Sequence, residues 1–252
     1  MRELLLGKNS LLFFLIVFLS NVIQCITGFA GTTLAMPFSL MLVDFTVAKP
    51  VLNVLGLAAS LGVVLSNPKA INRHELCKIL SVMLVGILGG LILTHYISLQ
   101  AGALYKILGA AVIAFTVMGA ANIFKKEELP LKREKTGIAS YFILAVSGIV
   151  HGMFVCGGPL LVVYAAKTLK DKDEFRTTLS AVWLVLNFII FVSDIQSGYF
   201  IPATNAIMTV SLVILLLAMV TGNFIARKLN KKVFMILTYL LMAISGILLL
   251  IK

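Results

Sequence analysis

The chain has 252 residues, of which 60% are hydrophobic and only 12% charged, with a mean hydropathy of +1.08. A soluble domain carries about 25% charged residues, so a fully water-exposed globule is excluded, and long apolar runs recurring from end to end predict an all-α polytopic membrane protein. The net charge of +11 would suggest nucleic acid in a soluble protein. Here the Lys and Arg residues sit in short loops between apolar runs, as topology signals do, so no nucleic-acid partner is expected.

The first residues, MRELLLGKNSLLFF, place Arg2 and Lys8 ahead of an apolar stretch, as in a signal peptide. No small-residue cleavage site follows, so a retained first membrane segment is expected. Apolar segments then fall at 10–43, 50–66, 79–97, 103–124, 137–166, 179–198, 205–226 and 233–251. A crossing helix needs about 20 residues. The first and fifth segments, with 34 and 30, are too long for one crossing. Both carry helix breakers near the middle, TGFAGTTLAMP from Thr27 to Pro37 and HGMFVCGGP from His151 to Pro159. The continuous runs do not fit the alternating strands of a membrane β-barrel.

A shift of 127 residues lays Ser20–Asn67 over Ser147–Asp194 without a gap. Gly31 falls on Gly158, Gln24 on His151, Asp44 on Asp171, Lys49 on Arg176 and Ser60 on Asn187. Only 8 of 48 positions are identical, so the argument for a repeat rests on the matching order of a long broken segment, a short charged turn and three ordinary segments. The expected organisation is a first membrane repeat over 1–124, a basic linker over 125–136 and a second membrane repeat over 137–252.

Charge sets the orientation. Loops 67–78, 125–135, 167–178 and 227–232 hold 16 of the 21 Lys and Arg residues. If every segment crossed once, the two sides would hold 11 and 10, with no bias. If each long segment turns back to the side it entered from, all four basic loops share one side, 16 against 5. The positive-inside rule selects the second arrangement. Two inverted-topology repeats follow, each a broken or re-entrant helix pair plus three crossing helices. The localisation expected is a bacterial-type cell membrane.

A helix broken at membrane depth leaves free N–H groups at the start of its second half, a preorganised anion site. In inverted-repeat transporters two such breaks meet at the repeat interface. The candidate substrate-binding residues are Gln24, Thr27, Gly28, Gly31, Thr32, Thr33 and Asn53 from the first repeat, and His151, Gly152, Cys156, Gly157, Gly158 and Asn187 from the second. Thr hydroxyls and bare glycine N–H groups suit an oxyanion, while the competing reading of the glycines is close helix packing. Pro37 and Pro159, at the ends of the two breaker stretches, are candidate gating residues. Lys49 and Arg176 are repeat-equivalent cations placed to draw an anion in, or, for Arg176, to anchor topology. His151 is either an anion ligand and proton carrier or a hydrogen-bonded packing residue. Trp183 shares a helical face with Asn187 at i, i+4 and is equally readable as packing. No Asp or Glu falls inside a membrane segment except at ends such as Asp194, so a carboxylate cation site is not expected. Cys25, Cys77 and Cys156 lack metal-ligand spacing, and their odd number argues against a disulfide framework.

The stretches GFAGTTLAMPFSLML and SGIVHGMFVCGGPLLVVYAAK resemble the two glycine–proline signatures of the sulfite exporter TauE/SafE family, and the resemblance in length, duplication and basic centre covers nearly the whole chain. Gly157, Gly158 and Pro159 match the second signature closely. The first departs from it at Ala30-Gly31-Thr32, where a glycine run is common, but keeps Pro37. The resemblance implies outward secondary transport of a sulfur-containing oxyanion, sulfite or a small organosulfonate. A passive anion channel and a transporter of carboxylates or other organic anions are the alternatives. An enzyme is not expected, because only His151 and Cys156 offer reactive groups at depth and their i, i+5 spacing does not put them on one helical face. No cofactor is expected. Proton coupling and a homodimer are both compatible with this reading.

Overall fold

The structure is a computed structural model that describes residues 7–96, 106, 109–110, 113, 116–117, 137–169 and 171–251. Most of the expected segment 103–124 and all of the basic loop 125–135 lie outside the described residues. Nine α-helices, with one short 3-10 turn at Pro68–Ala70, are bounded among the described residues. They are α1 (Lys8–Thr27), α2 (Ala30–Ser39), α3 (Phe45–Ser66), α4 (Arg73–Tyr96), α5 (Ile138–Phe154), α6 (Gly158–Thr168), α7 (Lys172–Gln196), α8 (Pro202–Lys228) and α9 (Lys231–Ile251). No strand is found among the described residues. Five helices, α1, α3, α4, α7 and α8, are long and apolar enough to cross a membrane.

The two long segments are both broken. The first ends its outer helix at Gly28, whose φ of 84° is the left-handed C-cap conformation that glycine adopts without a Cβ penalty. The Gly28 N–H donates to the Gln24 carbonyl at 2.7 Å. The second segment ends at Val155, the repeat mate of Gly28, also left-handed at φ 57° and donating to the His151 carbonyl at 2.8 Å. Pro159 then sits in the first turn of α6, where its missing N–H removes no helix bond. Pro37, in contrast, lies inside α2 rather than at the break. The first break is made by Gly28 and Phe29, ahead of the expected proline.

Helices α3 and α7 begin earlier than their apolar runs, at residues 45 and 172 rather than 50 and 179. Asp44 and Asp171 are their N-cap residues. The Asp171 carboxylate accepts from the N–H groups of Asp173 and Glu174 at 2.8 and 3.0 Å, a side-chain cap that extends the helix through a charged first turn.

The packing is reciprocal between the halves. Helix α4 packs along α5, α8 along α1, α3 along α7, α8 also on α3, and α4 also on α7. Small residues allow the closest approaches. A Cβ at Gly86 would lie 2.5 Å from the Ala145 carbonyl oxygen, and one at Gly222 would lie 2.7 Å from that of Val22.

Contacts between helix ends fix directions. Lys49, near the start of α3, meets Asp194, near the end of α7. Asn72, just before α4, donates to Glu174 at the start of α7, and its N–H donates to Thr178. Helices α3 and α7 therefore run antiparallel. Tyr141 at the start of α5 and Tyr164 near the end of α6 lie with ring centroids 6.4 Å apart, so α5 and α6 form a hairpin. Lys172 donates to the carbonyls of Ala226 and Leu229. The basic loops 67–78, 167–178 and 227–232 thus lie together at one end of the helices, and Lys49, Asp194 and Tyr199 at the other.

Candidate functional site

The two breaks meet tip to tip. Gly158, the first residue of α6, lies against the start of α2: a Cβ there would be 2.9 Å from the Phe29 carbonyl oxygen and 3.2 Å from Thr33 Oγ1. Around this contact Gln24, Phe29, Thr32, Gly56, His151, Gly158, Trp183 and Asn187 enclose a small cavity. Its volume is about 10 Å³, room for about one water molecule. Two pairs of positions related by the 127-residue shift, Gln24 with His151 and Gly56 with Trp183, are among its lining residues.

His151 is 2% exposed, and its Nε2 lies 2.8 Å from Asn187 Oδ1. An amide oxygen only accepts, so Nε2 carries the proton and donates, leaving Nδ1 as an acceptor. The imidazole lies 4.7 Å from the Trp183 ring, centroid to centroid. Asn53 Nδ2 donates to the Asn187 backbone carbonyl at 3.1 Å. Four polar atoms here, His151 Nδ1, Trp183 Nε1, Thr33 Oγ1 and Asn53 Oδ1, are buried without a hydrogen-bond partner among the described residues. Buried polar atoms are nearly always paired, so a cluster of unpaired ones beside a cavity marks a place where a polar guest restores the missing bonds.

The other candidates are placed differently. The Thr27 hydroxyl donates to the Ile23 carbonyl and accepts from the N–H groups of Phe29 and Ala30 at 3.4 and 3.3 Å. Gln24 Oε1 accepts from the Gly31 N–H at 2.8 Å. The first amides of α2 are thus taken up by its own hairpin. Gly28 packs on the Arg176 backbone, and Gly152 faces the Ile87 carbonyl on α4. Gly31 packs on Gln24 and Ser20, while Gly157 packs on His151 and Ser147, with Ser147 Oγ donating to the Gly157 carbonyl at 2.7 Å. By packing, Gly157 rather than Gly158 corresponds to Gly31, so the two tips differ by one residue from the gapless alignment. Cys156 is fully buried and does not line the cavity.

Lys49 and Arg176 are not open cations at a mouth. Lys49 is 5% exposed and donates to Asp194 Oδ1 at 2.7 Å. Arg176 Nε donates to the Cys25 carbonyl at 2.5 Å, and its Nη2 donates to Asn223, so it closes the C-terminus of α1 as cations at helix ends do. Glu75 was expected in a loop. It lies instead in the first turn of α4, 3% exposed, accepting from the Tyr164 hydroxyl at 2.9 Å and from Lys78 at 3.1 Å. Phe29 and Gly56 were missed in the sequence. The repeat shift offered one signal, since Gly56 is the mate of Trp183.

Apolar crossing helices with two broken helices meeting tip to tip around a buried polar cavity define a multi-pass membrane transport protein. The model of the family described as sulfite exporter TauE/SafE matches residues 13–249, and the chain belongs to that family. Membership implies membrane transport of sulfite- or sulfonate-type anions. No match was found among curated proteins or among solved structures.

Proposed function

We propose that the protein is a secondary transporter that exports sulfite or a small organosulfonate by alternating access, holding the anion between the tips of α2 and α6. The observation that carries this reading is the pair of unpaired donors, Trp183 Nε1 and the Thr33 hydroxyl, beside the cavity where the tips touch. Trp183 Nε1–H and the Thr33 hydroxyl are donors suited to sulfonate oxygens. The α2 and α6 N-termini add the positive ends of two helix dipoles.

The antiparallel mates α3 and α7 and the reciprocal packing of the helices support two inverted repeats, 1–124 and 137–252, joined by the linker 125–136. With the basic loops inside, the α5–α6 hairpin opens to the cytoplasm. The cavity is too small for a sulfonate, so binding requires the tips to part, which an alternating mechanism supplies and a static channel does not. Export of a monoanion from a negative-inside cell is favoured by about 2.3 kcal/mol per 100 mV, so a coupling ion is not required. His151 Nδ1 is an acceptor site for a proton that travels with the anion.

Proteoliposomes loaded with sulfite or with two- and three-carbon sulfonates test the reading. Efflux should saturate, show counterflow and rise with an interior-negative potential. Loss no faster than from empty-protein vesicles overturns the substrate assignment, and flux without saturation or counterflow overturns alternating access.

A further inference from the structure

Polar residues lie along the seam between α3 and α7 on both sides of the tip cavity: Ser60 and Ser180 toward the basic loops, Asn53, Lys49 and Asp194 away from them, with the buried Ile190 between Asn187 and Asp194. On α3 the seam residues are Ser60, Gly56, Asn53 and Lys49, at i, i+4 and i+3 spacings that keep one face inward. On α7 they are Ser180, Trp183, Asn187 and Asp194. Lys49 and Asp194 close the seam at its outer end. Both are buried, and the pair ties together the two helices that the repeat relates. Asp194 Oδ2 has no partner among the described residues. A buried ion pair that serves stability alone has its remaining lone pairs satisfied, because only then does the attraction offset desolvation. This one is half satisfied. The opposite end of the seam has no such pair: the repeat mate of Lys49 is Arg176, which caps α1, and that of Asp194 is Asn67.

We propose that Lys49 is a second anion-binding station on the transport path, and that Asp194 is its resident counter-ion, which the travelling oxyanion displaces. With the tips closed, Asp194 neutralises Lys49 and seals the seam. When the anion leaves the His151–Asn187 site outward, its oxygens take the place of Asp194 Oδ1 on the Lys49 ammonium. Asp194 then returns as the anion departs. The station selects against cations and against neutral solutes, which cannot displace a carboxylate. Tyr199, with its ring centroid 5.7 Å from Lys49 Nζ and its N–H bonded to the Asp194 carbonyl at 3.2 Å, forms the outer wall of this station. This inference rests on the proposed transport reading.

The test uses the full chain in proteoliposomes and three variants: the apolar pair Lys49→Met with Asp194→Leu, the swapped pair Lys49→Asp with Asp194→Lys, and Asp194→Asn alone. The apolar pair keeps the fold, as apolar replacement of a buried pair does, which thermal unfolding in detergent checks, and sulfite binding at the tip site stays within about twofold while efflux falls about tenfold or more. The swapped pair, which keeps a cation in the seam, recovers part of the flux. Asp194→Asn leaves Lys49 uncompensated. An Asn53→Cys label site in that background then reacts faster with an anionic than with a cationic methanethiosulfonate added from outside, an order absent with Asp194 present, where the pair is neutral. Wild-type efflux with an apolar pair that transports at the wild-type rate overturns the station. If the apolar pair fails to fold, absence of this reagent order in Asp194→Asn overturns it independently. Absence of wild-type efflux of any sulfur oxyanion instead refutes the transport reading beneath it.

Discussion

The Asn187 side chain is the most informative place to perturb the site. Its Oδ1 accepts the His151 Nε2 proton at 2.8 Å, and the imidazole it orients lies 4.7 Å from Trp183. Asn187→Ala removes that acceptor. His151 is 2% exposed, so water cannot replace it without entering the site, and both ring nitrogens are then without partners. Leaving a buried donor unsatisfied costs about 1–3 kcal/mol, whereas interhelical side-chain hydrogen bonds within membranes average about 0.6 kcal/mol. The full burial places Asn187→Ala nearer the first figure, so about 1–2 kcal/mol is expected. Only the part of this that holds the imidazole for the anion appears in binding, so at about 1.4 kcal/mol per tenfold the fall in sulfite affinity is at most about thirtyfold. The backbone carbonyl that takes the Asn53 bond is unaffected, so the helix seam should hold. The assay is calorimetric binding of sulfite to the detergent-solubilised protein for wild type, Asn187→Ala, His151→Ala and the double variant. Residues in one hydrogen-bonded network couple by about 0.5–3 kcal/mol. Affinities that add without coupling, or an Asn187→Ala affinity within about twofold of wild type, would refute the assignment of this pair to the anion site.

Two further predictions concern packing and orientation. A Cβ at Gly90 would stand 2.2 Å from the Ile149 carbonyl oxygen, while one at Gly89 meets nothing nearer than 3.9 Å. Gly90→Ala should therefore destabilise by about 1–3 kcal/mol in thermal unfolding, and the adjacent Gly89→Ala should leave the midpoint unchanged or higher; equal effects would show that α4 and α5 do not pack through this seam. Single cysteines replacing Glu128 and Lys172 should react with a membrane-impermeant reagent only from the cytoplasmic side, and one replacing Ser197 only from outside; Glu128 and Lys172 on opposite faces would defeat the inverted arrangement.

Much of this architecture was legible in the sequence because helix length and breaking are local properties. The excess length of 10–43 and 137–166, with Gly28 and Gly157-Gly158-Pro159 inside them, announces two broken helices before any contact is known. The exact first break was not legible, since Pro37 is the stronger breaker by residue type and the chain instead turns at Gly28 and Phe29. The roles of the cations were not legible either. Lys49 and Asp194 are separated by 145 residues, and only the antiparallel run of α3 against α7 brings them together. Trp183 was visible but ambiguous, because an i, i+4 neighbour of Asn187 faces a cavity or a packed helix with the same periodicity. The sequence loop 67–78 was drawn too long, since α4 already begins at Arg73 and takes in Glu75.

The two hairpin tips are chemically unequal springs. Gly28 rests in the left-handed region without strain, but its mate Val155, β-branched and fully buried, is held there at φ 57°. That conformation costs an L-residue about 1–2 kcal/mol, and it persists only while the surrounding packing enforces it. Loosening the packing around the α5–α6 tip therefore releases energy that loosening the α1–α2 tip does not. In the orientation proposed above, the strained tip belongs to the hairpin on the basic-loop side, where an exported anion would enter.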